Sequence, residues 1–344
     1  MFKLLFISAF ALCASLASAA GNVCTPTTVY RPSNSDAYYW PATWKEQQAA
    51  PALGGNQTCG WAVIVPKGYY AKLIMSGRMG DNTSHIQTID AGANSIISTH
   101  ENKEPYFFPS ETFTVYVYAD SDATFAMKIV WAKLPTKMDY SMGIGKNPKL
   151  VNITSDIFAA EYSSTTGLSL LAFPADKKRI ASLRSTFVYE GKDSNGNYVS
   201  NLYLLYKSKK QWISSGSVIY VVNVEARNVE DKLLVQESGY TKDIAEYVEF
   251  SCQANSTCTG YLDAGNKTSA LVSVDNTSQT LMYVTLNVNS YLTVYYGSPN
   301  DAGKYLTISG STIQSNLPMT FGAPVVQYVV TGGKASFTFA VSNP

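Results

Sequence analysis

Histidine is almost missing from this sequence: 344 residues hold two, His85 and His100. Imidazole has the side-chain pKa nearest neutrality, so acid–base and metal chemistry have few carriers here. Charge is also sparse, at 15% of residues, and nearly balanced, with 26 Lys+Arg against 25 Asp+Glu. That excludes a nucleic-acid partner, because a phosphate-reading surface needs a cationic surplus. No G-x-S-x-G, H-E-x-x-H, P-loop or G-x-G-x-x-G pattern occurs. The expectation is a non-enzyme without a cofactor. A hydrolase whose Ser, His and Asp meet only in space leaves no such pattern and stays as an alternative. Apolar runs long enough to span a bilayer are absent after residue 19, so no transmembrane segment is expected. Helical periodicity is scarce as well.

What is present begins with an export signal. Lys3 precedes an apolar core from Leu4 to Leu16, and Ala17-Ser18-Ala19 offers a small-residue cleavage site. Residues 1–19 are therefore expected to be removed and the protein to be extracellular. Cys13 leaves with that segment, while Cys24, Cys59, Cys252 and Cys258 remain. An even number in an oxidising compartment implies disulfides, with three pairings open. The local pairing, Cys24–Cys59 and Cys252–Cys258, keeps each bridge inside one region. Zinc is the alternative, but C-x-x-C pairs and nearby histidines are lacking. Six N-x-[ST] sequons, at Asn56, Asn82, Asn152, Asn255, Asn266 and Asn276, are expected to be glycosylated and on the surface.

Strand signals fill the rest. Short β-branched and aromatic runs alternate in character and are cut by Gly, Pro, Asn, Asp and Ser. In Tyr291–Tyr296, Leu292, Val294 and Tyr296 share one face, and Tyr291, Thr293 and Tyr295 the other. Such runs predict an all-β protein of tandem antiparallel β-sandwiches. A glycine turn recurs after a strand at Gly92, Gly191 and Gly297. Each is followed later by a strong strand, at Thr112–Tyr118, Ser217–Val224 and Ala335–Val341. Three units of about 100 residues are read from this. They cover 20–136, 148–240 and 243–344, with the last two alternatively forming one domain.

One segment carries a specific pattern. Cys59-Gly60-Trp61-Ala62-Val63-Ile64-Val65-Pro66-Lys67-Gly68-Tyr69-Tyr70-Ala71-Lys72-Leu73 pairs two alternating runs across a Pro-Lys-Gly turn. Trp61, Val63 and Val65 point one way, and Trp61 is expected to fill the space beside a bridge from Cys59 to Cys24. This stretch resembles the C-x-W-x-I-x-x-P-x-G-Y strand pair of CUB domains. More closely, it is similar to the nematode CUB-like family of secreted proteins induced by infection and stress. Thr99-His100-Glu101-Asn102, Glu104-Pro105-Tyr106-Phe107-Phe108 and Val130-Trp131-Ala132-Lys133-Leu134-Pro135 extend the likeness over about residues 21–136. The resemblance implies a jelly-roll sandwich as the first unit, an extracellular setting and a non-catalytic role in innate defence or stress response. Relative to CUB domains that bind calcium, the central aspartate is missing near His85. Asp81, Asp120 and Asp122 are left as weak calcium candidates.

Two further features point to ligands. Tyr38, Tyr39, Trp40 and Trp44 cluster ahead of the first core strand and are candidates for stacking on sugar rings. Alternatively, they cover a sheet edge. The runs Lys177-Lys178-Arg179 and Lys207-Ser208-Lys209-Lys210 are candidates for an anionic surface or are merely solvated. The expected partner is an extracellular protein or a microbial or host glycan, the latter making the protein a carbohydrate-binding module.

Overall fold

The computed structural model describes residues 21–34, 36–227, 229–263 and 265–344; the signal segment 1–19 lies outside the described residues. The chain folds into tandem β-sandwiches, each a five-stranded sheet packed on a second sheet, of six strands in the first sandwich and four in the other two. In the first, the larger sheet runs Thr27–Val29, Gln57–Ile64, Thr112–Ala119, His85–Ile89, Ser95–Ser98. The smaller runs Tyr38–Trp40, Ala123–Lys133, Tyr69–Arg78, His100–Asn102, with Ala52–Leu53 and Tyr106–Pro109 added to its strands.

The second sandwich orders its larger sheet Tyr140–Gly143, Phe158–Ser163, Val218–Asn223, Thr186–Glu190, Asn197–Asn201. Its smaller sheet is Lys149–Asn152, Lys232–Glu237, Leu168–Phe173, Trp212–Ile213. The third runs Ile244–Glu249, Thr268–Ser273, Val326–Thr331, Tyr291–Tyr296, Lys304–Ser309 against Ser256–Asp263, Lys334–Ser342, Ser278–Leu286, Met319–Gly322. If the nine strands of each sandwich are counted in chain order, leaving out the two short additions, the topology is identical. The orders are 1-3-8-5-6 and 2-9-4-7 in all three. In each, the first strand pairs parallel to the third, and the other pairings are antiparallel.

This shared topology explains the recurring glycine. Gly92, Gly191 and Gly297 all follow the fifth strand of their sandwich. The strands read as their later partners are not equivalent, however. Thr112–Ala119 and Val218–Asn223 are eighth strands, whereas Lys334–Ser342 is a ninth strand. The eighth strand of the third sandwich is Val326–Thr331, another β-branched run just before Gly332-Gly333. Periodicity cannot choose between two such runs, because both suit a buried strand. The second sandwich starts before residue 148, since Tyr140–Gly143 is its first strand.

Alternation along the strands places the core. Leu292, Val294 and Tyr296 face the interior of the third sandwich, while Tyr295 belongs to an apolar cluster shared with the second. That cluster joins Phe173 and Leu234 to Ile244, Tyr247 and Val272. A similar one joins Phe107 and Leu134 of the first sandwich to Phe187, Tyr189 and Tyr220 of the second. Arg184, only 8% exposed, lies over the Tyr106 ring of the first sandwich at 3.7 Å and the Tyr203 ring of its own at 4.7 Å. Polar pins accompany it, with Tyr198 donating to Asp90 at 3.0 Å and Lys72 paired with Glu225. Between the second and third sandwiches, Gln327 and Ser298 both donate to Gln236, at 2.6 and 3.2 Å. Among the described residues no helix is long and apolar enough to cross a membrane.

Candidate functional site

Cys24 and Cys59 are bridged, with Cα atoms 5.5 Å apart, tying the chain before the first strand to the third. Trp61 stands two residues on, on the same face, and is 1% exposed. Its ring meets Trp40 at 5.1 Å and Phe125 at 5.7 Å. Trp40 therefore packs towards the core and is half-buried there. Tyr38 packs against the same core, and burial raises its hydroxyl pKa, offset in part by a hydrogen bond with Trp61. Trp44 is 3% exposed and meets Tyr39 edge-on at 6.4 Å. Tyr39 lies on the outer side, with the Lys45 ammonium 4.5 Å above its ring. The four aromatics thus do not form a common exposed platform. Tyr38–Trp40 is the edge strand of its sheet, and its side chains are half-buried.

Asp81 is held by its own loop. Its Oδ1 accepts from the Thr83 amide at 2.8 Å, the Thr83 hydroxyl at 2.8 Å and the Ser84 amide at 2.6 Å. Its Oδ2 accepts from the Ser84 hydroxyl at 2.7 Å and from Ser121. These bonds, the Ser121 hydroxyl foremost, hold the carboxyl well below the usual carboxylate range. Thr83 also reaches Asp120 at 2.8 Å. Asp122 takes no part in this network. Calcium needs six to eight oxygens with free lone pairs. Here protein donors occupy the Asp81 oxygens, so the arrangement does not fit the ion. No group of three or more His, Cys, Asp or Glu suited to a metal occurs among the described residues.

The two basic runs are brought to one place. Lys177, in the loop after Leu168–Phe173, and Lys207, Lys209 and Lys210, at the end of the helix Leu202–Lys207, line a cleft of about 570 Å³. The opposite wall is Glu246–Glu249 of the third sandwich. Glu249 accepts from the Tyr206 hydroxyl at 3.2 Å and pairs with Lys177 at 3.6 Å. Its carboxyl pKa is raised by burial, against the pull of Lys177 and Tyr206. Leu205, Tyr206 and Glu249 also line the cleft, although no pattern in the sequence marks them. The helix had one signal, Asn201, whose side chain accepts from the Leu204 amide at 3.0 Å as an N-cap.

Comparison with known proteins bears on the first sandwich. Residues 19–135 match the family model of the CUB-like domain. Residues 146–224 and 239–342 match two models each described as a domain of unknown function, DUF7592 and DUF7591. No curated protein matches the chain. Solved structures similar to it include the CUB1-EGF-CUB2 domain of human MASP-1/3, at 8% identity, 54% of this chain, 94% of that one and a TM-score of 0.22. The CUB1-EGF-CUB2 domains of rat MASP-1 match at 7%, 62%, 100% and 0.25. The extracellular region of zebrafish Gpr126/Adgrg6 matches at 8%, 94%, 53% and 0.26. At these scores the likeness carries no argument.

Both histidines belong to the CUB-like segment. His85 stacks on Tyr118 at 4.6 Å, and its Nδ1 is 3.0 Å from the Thr83 carbonyl. His100 is exposed on the strand His100–Asn102. Neither makes a hydrogen bond to a Ser or Cys side chain among the described residues. Asn56 and Asn82 of the segment are exposed, as are Asn152, Asn255, Asn266 and Asn276 beyond it. Cys252 and Cys258 are bridged, and Asn255 sits in the loop they close.

Proposed function

We propose that this is an extracellular, glycosylated, non-catalytic binding protein that acts through its CUB-like segment in defence or stress response. The observation that carries the reading is the CUB-like match over residues 19–135, on a sandwich closed by a disulfide at its Cys-x-Trp strand. The two bridges and the six exposed sequon asparagines support the compartment. The sandwiches are proposed as three domains, with Tyr140–Gly143 assigned to the second. Expression of the full chain in a secreting eukaryotic host tests the compartment. Bridged, glycosidase-sensitive protein is expected in the medium; reduced, unglycosylated protein kept in the cell overturns the reading. Cross-linking of the secreted protein to extracellular extracts tests binding, and induction of the protein after microbial challenge of the source organism tests the role.

Glycan recognition is a second reading, favoured by another surface than the one expected. Tyr261 and Tyr283 are 64% and 54% exposed on one face of the smaller sheet of the third sandwich. They flank the Ser336 and Thr338 row of the central strand, which supplies hydroxyls beside the rings. On a glycan array Tyr283→Ala is expected to abolish any signal and Trp40→Ala to keep it. The reverse outcome removes this surface from consideration.

A further inference from the structure

The cleft between the second and third sandwiches has the chemistry of a ligand site, and the proposed function makes no use of it. Its volume of about 570 Å³ falls within the range of small-molecule pockets, ~300–1,000 Å³. Leu171, Phe173, Leu205, Val248 and Val272 make its surface largely apolar. The strand Leu168–Phe173 alternates, so Leu170 enters the core of its own sandwich while Leu171 and Phe173 face the third. These apolar side chains are held in place by two domains at once, and so is the cavity they line.

Charge selects the occupant. Four lysines and two glutamates border the cleft. The four ammoniums outnumber the two carboxylates, and Glu249 is already ion-paired. Glu246 accepts from the Asp263 amide at 3.1 Å, and Glu249 is bound by Tyr206 and Lys177. Lys207 lies 5.9 Å over the Tyr203 ring, whereas Lys209 and Lys210 have no ion-pair partner among the described residues. The rim is thus left with uncommitted positive charge above an apolar surface. A neutral apolar ligand would ignore the lysines, and a polar anion would ignore the leucines.

We propose that this cleft binds a small anionic amphiphile, an acyl or similarly apolar chain bearing one acidic head group. The chain lies against Leu171, Phe173 and Leu205, and the head group meets Lys209 and Lys210. This rests on the second and third sandwiches alone and is independent of what the CUB-like segment does.

The fluorescent fatty acid cis-parinaric acid, titrated into the full secreted chain, tests it. Saturable binding of one molecule per chain is expected, weakening as salt screens the exposed lysines. Lys209→Glu with Lys210→Glu, both exposed and free of packing roles, is expected to weaken binding at least about tenfold through charge reversal. Leu171→Trp fills the cleft and is expected to abolish it. Displacement by palmitate or lysophosphatidate, but poorly by monopalmitoylglycerol, identifies the acidic head group; which of the two acids displaces better separates carboxylate from phosphate. Absence of saturable binding, or binding unchanged in the folded lysine variant, overturns the proposal. A failure of either kind leaves the CUB-like reading untouched.

Discussion

Arg184 sets the most demanding balance at the residue scale. Its guanidinium is buried between Tyr106 and Tyr203, and Nε and Nη1 have no hydrogen-bond partner among the described residues. A desolvated cation–π contact is worth about 2 kcal/mol or more, which opposes the cost of burying the charge. Arg184→Ala loses both the contact and the volume. It is expected to lower unfolding stability by about 2–4 kcal/mol in urea titration. Arg184→Met keeps the volume and removes the charge, and is expected to be close to neutral. Equal losses in the two variants would show that the charge, rather than the packing, holds the contact. Asp81 offers a test by pH. Its carboxyl pKa is lowered in the folded state, so its contribution is present above the usual carboxylate value of about 3.9 and is lost as pH falls below it. The stability gap between wild type and Asp81→Asn is expected to be larger at pH 7 than at pH 3. A gap independent of pH would mean that the hydroxyl network does not act through the ionised form.

At the scale of elements, the two bridges close loops of very different length, 35 and 6 residues in sequence separation. A bridge mainly restricts the unfolded chain, and its effect grows slowly with loop length. Replacing Cys24 and Cys59 by alanine is expected to cost about 4 kcal/mol, against about 2 kcal/mol for Cys252 and Cys258. Calorimetry on the two double variants measures the order; a reversed order would show that native-state packing outweighs loop closure. Two of the three turns after the fifth strands also serve as joints. A Cβ on Gly92 would lie 2.9 Å from the Val199 carbonyl oxygen of the second sandwich. Gly297 has φ +93°, and its Cβ would lie 3.1 Å from Pro148. Both turns therefore favour glycine because a neighbouring sandwich touches them.

For the whole molecule, the middle sandwich is the hub. It meets the first through Arg184 and the Phe107–Phe187 cluster, and the third through the Phe173–Tyr247 cluster and the Gln236–Gln327 bond. The stretch 237–243 is then a short connection between packed bodies, one turn of helix at Ser238–Thr241, rather than a free linker. Tyr247→Ala removes a buried ring from the second of these interfaces and is expected to speed limited proteolysis at 237–243 severalfold. Unchanged cleavage would mean that the third sandwich is held by its polar contacts alone.

Much of the fold was legible in the sequence for a local reason. Alternation in Cys59-Gly60-Trp61-Ala62-Val63 and in Leu292-Thr293-Val294 declares a strand and its buried face, because successive side chains point to opposite sides. The even cysteine count implied bridges, and of the three possible pairings the structure has the local one. The sequence did not say that Trp40 would turn inward onto Trp61 and Phe125, since burial of an edge aromatic depends on what lies across the sheet. Nor did it distinguish Val326–Thr331 from Lys334–Ser342 as the eighth strand, because pairing partners are not encoded in the period. The tertiary structure alone brought Lys177 and Lys209-Lys210, more than thirty residues apart, to the rim of one cleft with Glu249 on its far wall. Local pattern determines which residues are buried within a strand; the packing of one sandwich on the next determines which exposed ones meet.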